Sequence, residues 1–243
     1  MNNNQTIEKL SGMRLNAMAE LHRQNIANNL LKKYTIDEYL ALLTDCEWED
    51  RENRKIKRLI LQSGFKQQAS VADIVFSETR NLDKNMFDRL SSLQFIDQKE
   101  NLIITGASGV GKSYLSQALG QQACQRGYST IYQVTARLFN KMKLAKVDGT
   151  YIKELNKLTS AKLLLLDDFG LQAMDNQARE ILMDIIDDRH TKTSTIISSQ
   201  IPVSAWYDII GESTIADAIL DRLVNSSHRI NLAGESLRKG MLK

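Results

Sequence analysis

Gly106-Ala107-Ser108-Gly109-Val110-Gly111-Lys112-Ser113 is an uninterrupted Gly-x-x-x-x-Gly-Lys-Ser, the pattern of a loop that cradles the phosphates of a nucleoside triphosphate. The apolar run Leu102-Ile103-Ile104-Thr105 precedes it and reads as a buried strand, and the stretch from Tyr114 to Arg126 that follows is compatible with a helix. This context turns a pattern into a physical claim. Successive backbone N–H groups of a tight glycine loop can surround phosphate oxygens, and the positive end of the following helix dipole points the same way. The predicted nucleotide-binding set is Gly106, Ala107, Ser108, Gly109, Val110, Gly111, Lys112, Ser113 and Tyr114. Lys112 is expected to reach the β- and γ-phosphates.

A second element matches the first. Lys162-Leu163-Leu164-Leu165-Leu166-Asp167-Asp168 carries four consecutive leucines, which suit a central strand of a parallel sheet covered on both faces. Its two carboxylates stand at the carboxyl end, where open α/β sheets place their ligands. In such sites the first acid holds Mg²⁺ with the loop hydroxyl, which here predicts Asp167 and Ser113 as metal ligands. The other reading of Asp167-Asp168 is a polar strand end capping the next loop.

Length and composition set the frame. At 243 residues the chain can bury one sizeable α/β core and a smaller appendage. Its 42% hydrophobic and 25% charged residues are ordinary for a globular protein. The polar start Met1-Asn2-Asn3-Asn4-Gln5 has no signal-peptide core, and no apolar run approaches a membrane span. Cys46 and Cys124 are far apart and have no metal spacing. A reduced, cytoplasmic protein without a membrane partner is expected. The net charge of +3 is too small to argue for nucleic acid. Its distribution says more: Arg51, Arg54, Lys55, Lys57, Arg58 and Lys66 face one acid, Glu52, between residues 51 and 66. Such a patch can bind phosphate backbones, or it can be the solvated face of a helix.

The first 100 residues read as helical. Ile7, Leu10, Leu15, Met18, Leu21, Ile26 and Leu30 recur at roughly helical intervals with imperfect phase. Thr35-Ile36-Asp37-Glu38 is a capping box for a second helix through Leu43. A third helix is expected from Glu47 to Gln62, ending near Gly64, and a further one from Asp83 to Gln94. From residue 101 strands and helices alternate, which predicts a parallel sheet with crossover helices. The expected strands are 101–105, 130–134, 162–167, 194–199 and 228–232; the expected helices are 113–126, 135–145, 150–158, 175–191 and 214–225. The domains predicted are a helical unit over 1–68 and a nucleotide-binding unit over 69–243.

Hydrolysis of a γ-phosphate needs an oriented water, a metal and positive charge facing the transition state. Asp168, beside the metal ligand, can reach a water. Gln200, after Ser194-Thr195-Ile196-Ile197-Ser198-Ser199, ends a strand that could neighbour the one carrying Asp167. Its amide could hold the water or the phosphate, or stabilise the turn before Pro202. Arg222, in Ile219-Leu220-Asp221-Arg222-Leu223, suits a phosphate bound by a neighbouring subunit; the alternative is an ion pair with Asp217 or Asp221. Arg229 and Arg238 are weaker candidates for the same work. Lys141, Lys143 and Lys146 are either nucleic-acid contacts or a solvated helix face.

Taken together, these residues resemble the AAA+ ATPases of the IstB-like family, the transposition helpers encoded beside a transposase in bacterial insertion sequences. The likeness runs over nearly the whole chain. It includes Arg51-Glu52-Asn53-Arg54, Phe95-Ile96, the loop at 106–113, Leu166-Asp167-Asp168-Phe169-Gly170, Ser198-Ser199-Gln200, Asp221-Arg222-Leu223 and Ser236-Leu237-Arg238-Lys239. The resemblance implies an AAA+ core with a five-stranded parallel sheet behind a small all-helical N-terminal domain. It implies ATP and Mg²⁺ as cofactors, and a homo-oligomer in which Arg222 acts as an arginine finger in trans while Gln200 holds the sensor position. It further implies binding and deformation of duplex DNA with little sequence preference, and recruitment of a partner transposase. The related DnaC-like helicase loaders give the alternative function, and a small-molecule kinase is a distant third. Two departures qualify the likeness. Many AAA+ proteins have Glu where Asp168 stands, so hydrolysis is expected to be slow and stimulated by DNA or partner. About ten residues follow the last strand, too few for the helical lid of many AAA+ proteins.

Overall fold

The computed structural model describes residues 3–237, so Arg238 and Lys239 lie outside the described residues. Its contacts divide the chain into two compact units, Met1–Arg58 and Leu59–Lys243. The division falls inside a helix, ten residues before the boundary expected from sequence.

In the first unit, α1 (Asn3–Gly12) and α2 (Asn16–Ala27) replace the single run expected from residue 7 to 30. The imperfect phase has a cause: Arg14 takes a left-handed φ of 61°, which breaks the helix. The capping box at Thr35 forms as expected, with the Glu38 N–H donating to Thr35 Oγ1 at 3.3 Å and the Thr35 N–H to Glu38 Oε2 at 2.8 Å. The two helices expected after it are one, α3 (Ile36–Ser63). No Gly or Pro separates Leu43 from Glu47, and Thr44, a possible stop, instead donates its hydroxyl to the Leu40 carbonyl within the helix at 2.7 Å. The amino end of α2 has no cap of its own. Buried Glu47 of α3 supplies one, accepting the N–H of Ala17 at 3.0 Å and of Met18 at 3.3 Å.

The second unit begins with irregular backbone, then α4 (Lys84–Ser91) and the short α5 (Gln94–Asp97). Asp83 caps α4 by accepting the Met86 N–H at 2.6 Å. The helix expected from Asp83 to Gln94 ends at Ser91, because Leu93 takes φ 66°, and α5 follows as a short helix that sequence did not predict. The strands follow as expected: β1 (Asn101–Gly106), β2 (Thr130–Val134), β3 (Leu163–Phe169), β4 (Ser194–Ser199) and β5 (Ser227–Leu232). They form one parallel sheet in the order β2-β3-β4-β1-β5. The crossovers are α6 (Lys112–Gln125), α7 (Thr135–Val147), α8 (Tyr151–Ser160), α9 (Asn176–Arg189), α10 (Trp206–Ile210) and α11 (Ser213–Val224). Sequence missed α10, a five-residue helix too short to show a period; Pro202 before it and Gly211 after it are its only signals.

The leucine run of β3 shows why the sheet is covered on both faces. Leu163 and Leu165 join Leu102, Ile104, Leu115 and Leu119 in one core. Leu164 and Leu166 point the other way, into a core with Leu138, Ile181, Ile185 and Ile219. The period of two along a strand requires this split. Among the described residues no domain follows β5, and no helix is long and apolar enough to cross a membrane.

Candidate nucleotide site

The loop joins β1 to α6, with its glycines at positions other residues could not fill. A Cβ on Gly106 would lie 2.3 Å from the Leu232 carbonyl oxygen, and Gly111 stands at φ 99° immediately before α6. Lys112 opens the helix and donates from Nζ to the Ala107 carbonyl at 2.7 Å, which folds its side chain back over the loop.

Asp167 is buried at 3% exposure, and hydroxyls surround it. Ser113 Oγ donates to Oδ1 at 2.8 Å, Ser198 Oγ donates to the same oxygen, and Tyr132 OH donates to Oδ2 at 2.6 Å. Thr135 Oγ1 donates to the Asp167 backbone carbonyl at 2.8 Å. Burial and the bond to Asp167 push the Tyr132 hydroxyl well above the ordinary tyrosine range, so it remains a donor. Ser113 and Asp167 thus converge as hard oxygen donors, the set that suits Mg²⁺, which takes one or two carboxylates and completes its shell with phosphate and water. Sequence reasoning did not find Tyr132 or Ser198. The available signal was hydroxyls on otherwise apolar buried strands adjoining the one that carries Asp167.

Asp168 is held differently. The pairing of β3 with β4 shifts between Leu166 and Phe169, and Asp168 takes φ 55° at that irregularity. The kink re-aims its side chain, as bulges beside sites do. Asp168 lines a cleft of about 260 Å³ together with Ser108, Gly109, Lys112, Ser113 and Gln200. Tyr114 lines it too, its hydroxyl accepting the Ser70 N–H at 3.3 Å. The structure therefore gathers the loop, both acids and Gln200 at the carboxyl end of β1, β3 and β4.

Arg222 lies elsewhere. The Asn101 side chain, at the start of β1, donates to the Arg222 carbonyl at 3.2 Å, and β1 runs roughly 16 Å from Asn101 to the loop. Its guanidinium donates to Asp187 at 3.0 Å and to the Ala218 carbonyl at 2.9 Å. The ion pair is thus with Asp187, not with Asp217 or Asp221. Along α3, Arg51 pairs with Glu47, Arg54 with Asp50 and Lys55 with Glu52, whereas Lys57 and Arg58 form no ion pair among the described residues. The window from 51 to 66 hid two of these acids, which stand just before it. Lys141, Lys143 and Lys146 pair with Glu154, Asp175 and Glu180.

This sheet order, loop and acid pair define a nucleotide-binding protein of the phosphate-loop class. The family model described as "IstB-like ATP binding protein" matches residues 8–242, and the chain belongs to that family. It is 44% identical over 234 residues to the insertion sequence ATP-binding protein y4pL of Sinorhizobium fredii, covering 96% of each. It is 37% identical to its IS1162 counterpart from Pseudomonas fluorescens, over 82% of this chain and 87% of that one. Among solved structures, DnaI superposes with TM-score 0.58 at 20% identity over 73% of this chain and 94% of its own. AMPPCP-bound DnaA from Aquifex aeolicus gives 0.57 at 19% identity, over 74% and 56%. These two share the fold.

Proposed function

We propose that this chain is an ATP-dependent helper of transposition: it assembles side by side on duplex DNA, with little sequence preference, deforms it and recruits a partner transposase. The observation that carries the reading is the Ser113–Asp167 pair under an intact phosphate loop, in a chain that is 44% identical over nearly its whole length to an insertion sequence ATP-binding protein. Ser113 and Asp167 would hold Mg²⁺, which supplies charge neutralisation to the phosphates. Lys112 would leave the Ala107 carbonyl for the β- and γ-phosphates. Asp168 and Gln200 would orient water in the cleft. Asp168 is one methylene shorter than the glutamate of many AAA+ sites and is fixed by a kink, which supports slow turnover. Arg222 stands too far from its own cleft to serve it. That position supports a role in trans, with Asp187 exchanged for a neighbour's phosphate.

Arg54, Lys55 and Arg58 are proposed DNA contacts. Exposed ion pairs contribute about 0–1 kcal/mol, so phosphates can replace the acids. The helicase-loader alternative rests on likeness of fold alone. The test is assembly on duplex DNA with ATP, followed by sedimentation and electron microscopy, for wild type and Lys112→Ala. Wild type should form an ATP-dependent oligomer on bent DNA, and Lys112→Ala should not. Assembly by the variant equal to wild type, or a ring confined to single-stranded DNA, would sink the proposal.

A further inference from the structure

Arg80 carries no motif, yet it is a buried cation set against the backbone of the phosphate loop. Its side chain is 8% exposed. Nη2 donates to the Val110 carbonyl at 3.1 Å, and Nη1 donates to the Val75 carbonyl at 2.5 Å. A Cβ on Gly111 would lie 2.9 Å from Nη2, so the guanidinium rests against the loop backbone itself. The Arg80 carbonyl accepts the Ala233 N–H at 3.0 Å, which ties the segment after β5 to the same residue. Nε is buried and finds no acceptor, and among the described residues no carboxylate pairs with the guanidinium. Burial without an anion disfavours its charge.

A buried guanidinium with two carbonyls, an orphaned N–H and no carboxylate lacks one thing, an anion, and the loop it touches is built to hold one. We propose that Arg80 is a positioning residue of the nucleotide site: it fixes the Val110–Gly111 backbone, and its uncompensated charge favours the more highly charged polyphosphate, ATP over ADP. This rests on the reading of the loop as a nucleotide site. Arg189, the other deeply buried arginine, has an acceptor for each of its nitrogens and needs no ligand to complete it.

The experiment uses the full chain as wild type, Arg80→Met, Arg80→Lys and Lys112→Ala. ATP and ADP are titrated by calorimetry, and the ligand-free proteins are melted. Arg80→Met should weaken ATP by about tenfold and ADP by about threefold, the order expected for removing one charge roughly 12 Å from the terminal phosphate at an effective dielectric near 20. Its ligand-free melting temperature should not fall, because Met removes an orphaned buried N–H and a desolvated charge along with two hydrogen bonds, whereas Arg189 has every nitrogen satisfied. Arg80→Lys should keep most of the ATP preference. Equal losses for ATP and ADP with a lowered ligand-free melting temperature would make Arg80 a structural staple and overturn the proposal, as would unchanged affinities. If Arg80→Met does not fold, Arg80→Lys decides: a preserved preference supports the proposal and a lost preference with charge retained refutes it. If wild type binds ATP no better than Lys112→Ala, the site itself has been misread, an outcome distinct from failure of the Arg80 inference.

Discussion

Arg189 at the amino end of the sheet and Asp168 at its carboxyl end are both charged groups on the same scaffold, and they are held in opposite ways. Arg189 is 2% exposed. It donates to the carbonyls of Leu158 at 2.7 Å and Ala161 at 2.8 Å, to the Ser194 carbonyl, and to Thr195 Oγ1 at 3.1 Å. Those carbonyls stand where chain enters β3 and β4, and the arginine stitches them together. Asp168 sits in the left-handed region at a break in strand pairing and faces a cleft. One end of the sheet satisfies its buried charge internally; the other leaves strain and polar groups turned toward a ligand. In a parallel sheet this asymmetry separates groups that hold the fold from groups left facing a ligand cleft.

The largest expected effect tests the amino end. Arg189→Met orphans three carbonyls at once and should destabilise the protein by about 3 kcal/mol, lowering the melting temperature by roughly 6–12 °C for a chain of this size. ATP affinity of the folded protein should not change; a loss of affinity would show that the two ends are not independent. The next effect tests the carboxyl end. Asp168→Asn keeps the shape and tolerates positive φ, so stability should hold while any ATP hydrolysis falls at least about a hundredfold, the range for loss of a general base. Asp168→Gly should share that loss and gain stability of about 1 kcal/mol by relieving the backbone; a melting temperature that falls would remove strain from the account.

The smallest effect concerns the helical unit, where charge is structural again. Burial raises the Glu47 carboxyl, but the hydrogen bond from Arg51 and the N–H groups of Met18 and Ala17 outweigh it and hold the group below its ordinary 4.5. A depressed carboxyl contributes stability above its unfolded value and loses it as pH falls through the folded one. Urea unfolding followed by circular dichroism should show that contribution at pH 7 and lose it below the ordinary carboxylate range. Glu47→Gln should cost about 1 kcal/mol at pH 7 and flatten that pH dependence. A steep acid dependence retained by the variant would place the effect elsewhere.

Local chemistry made much of this legible in advance. The glycine pattern, the leucine run and the strand–helix alternation are short-range signals, and the five strands, the acid pair and the Thr35 cap follow from them. Signals that need a partner at a distance were not legible. Glu47 capping another helix, and Tyr132 and Ser198 donating to Asp167, join residues 29 or more positions apart. Two misreadings were local instead: Thr44 sends its hydroxyl to Leu40 within the helix, and Glu47 and Asp50, just before the basic stretch, pair with Arg51 and Arg54 and neutralise part of it.

By itself the sequence determined that this protein binds a nucleotide on a parallel α/β sheet, because a phosphate loop and a buried strand are written in consecutive residues. Only the tertiary structure decided which groups surround Asp167, that Arg222 lies at the far end of the sheet from its own loop, and that Arg80 waits buried without a counter-charge. Those facts depend on which strands become neighbours and which side chains lose water, and neither is a property of any local stretch of chain.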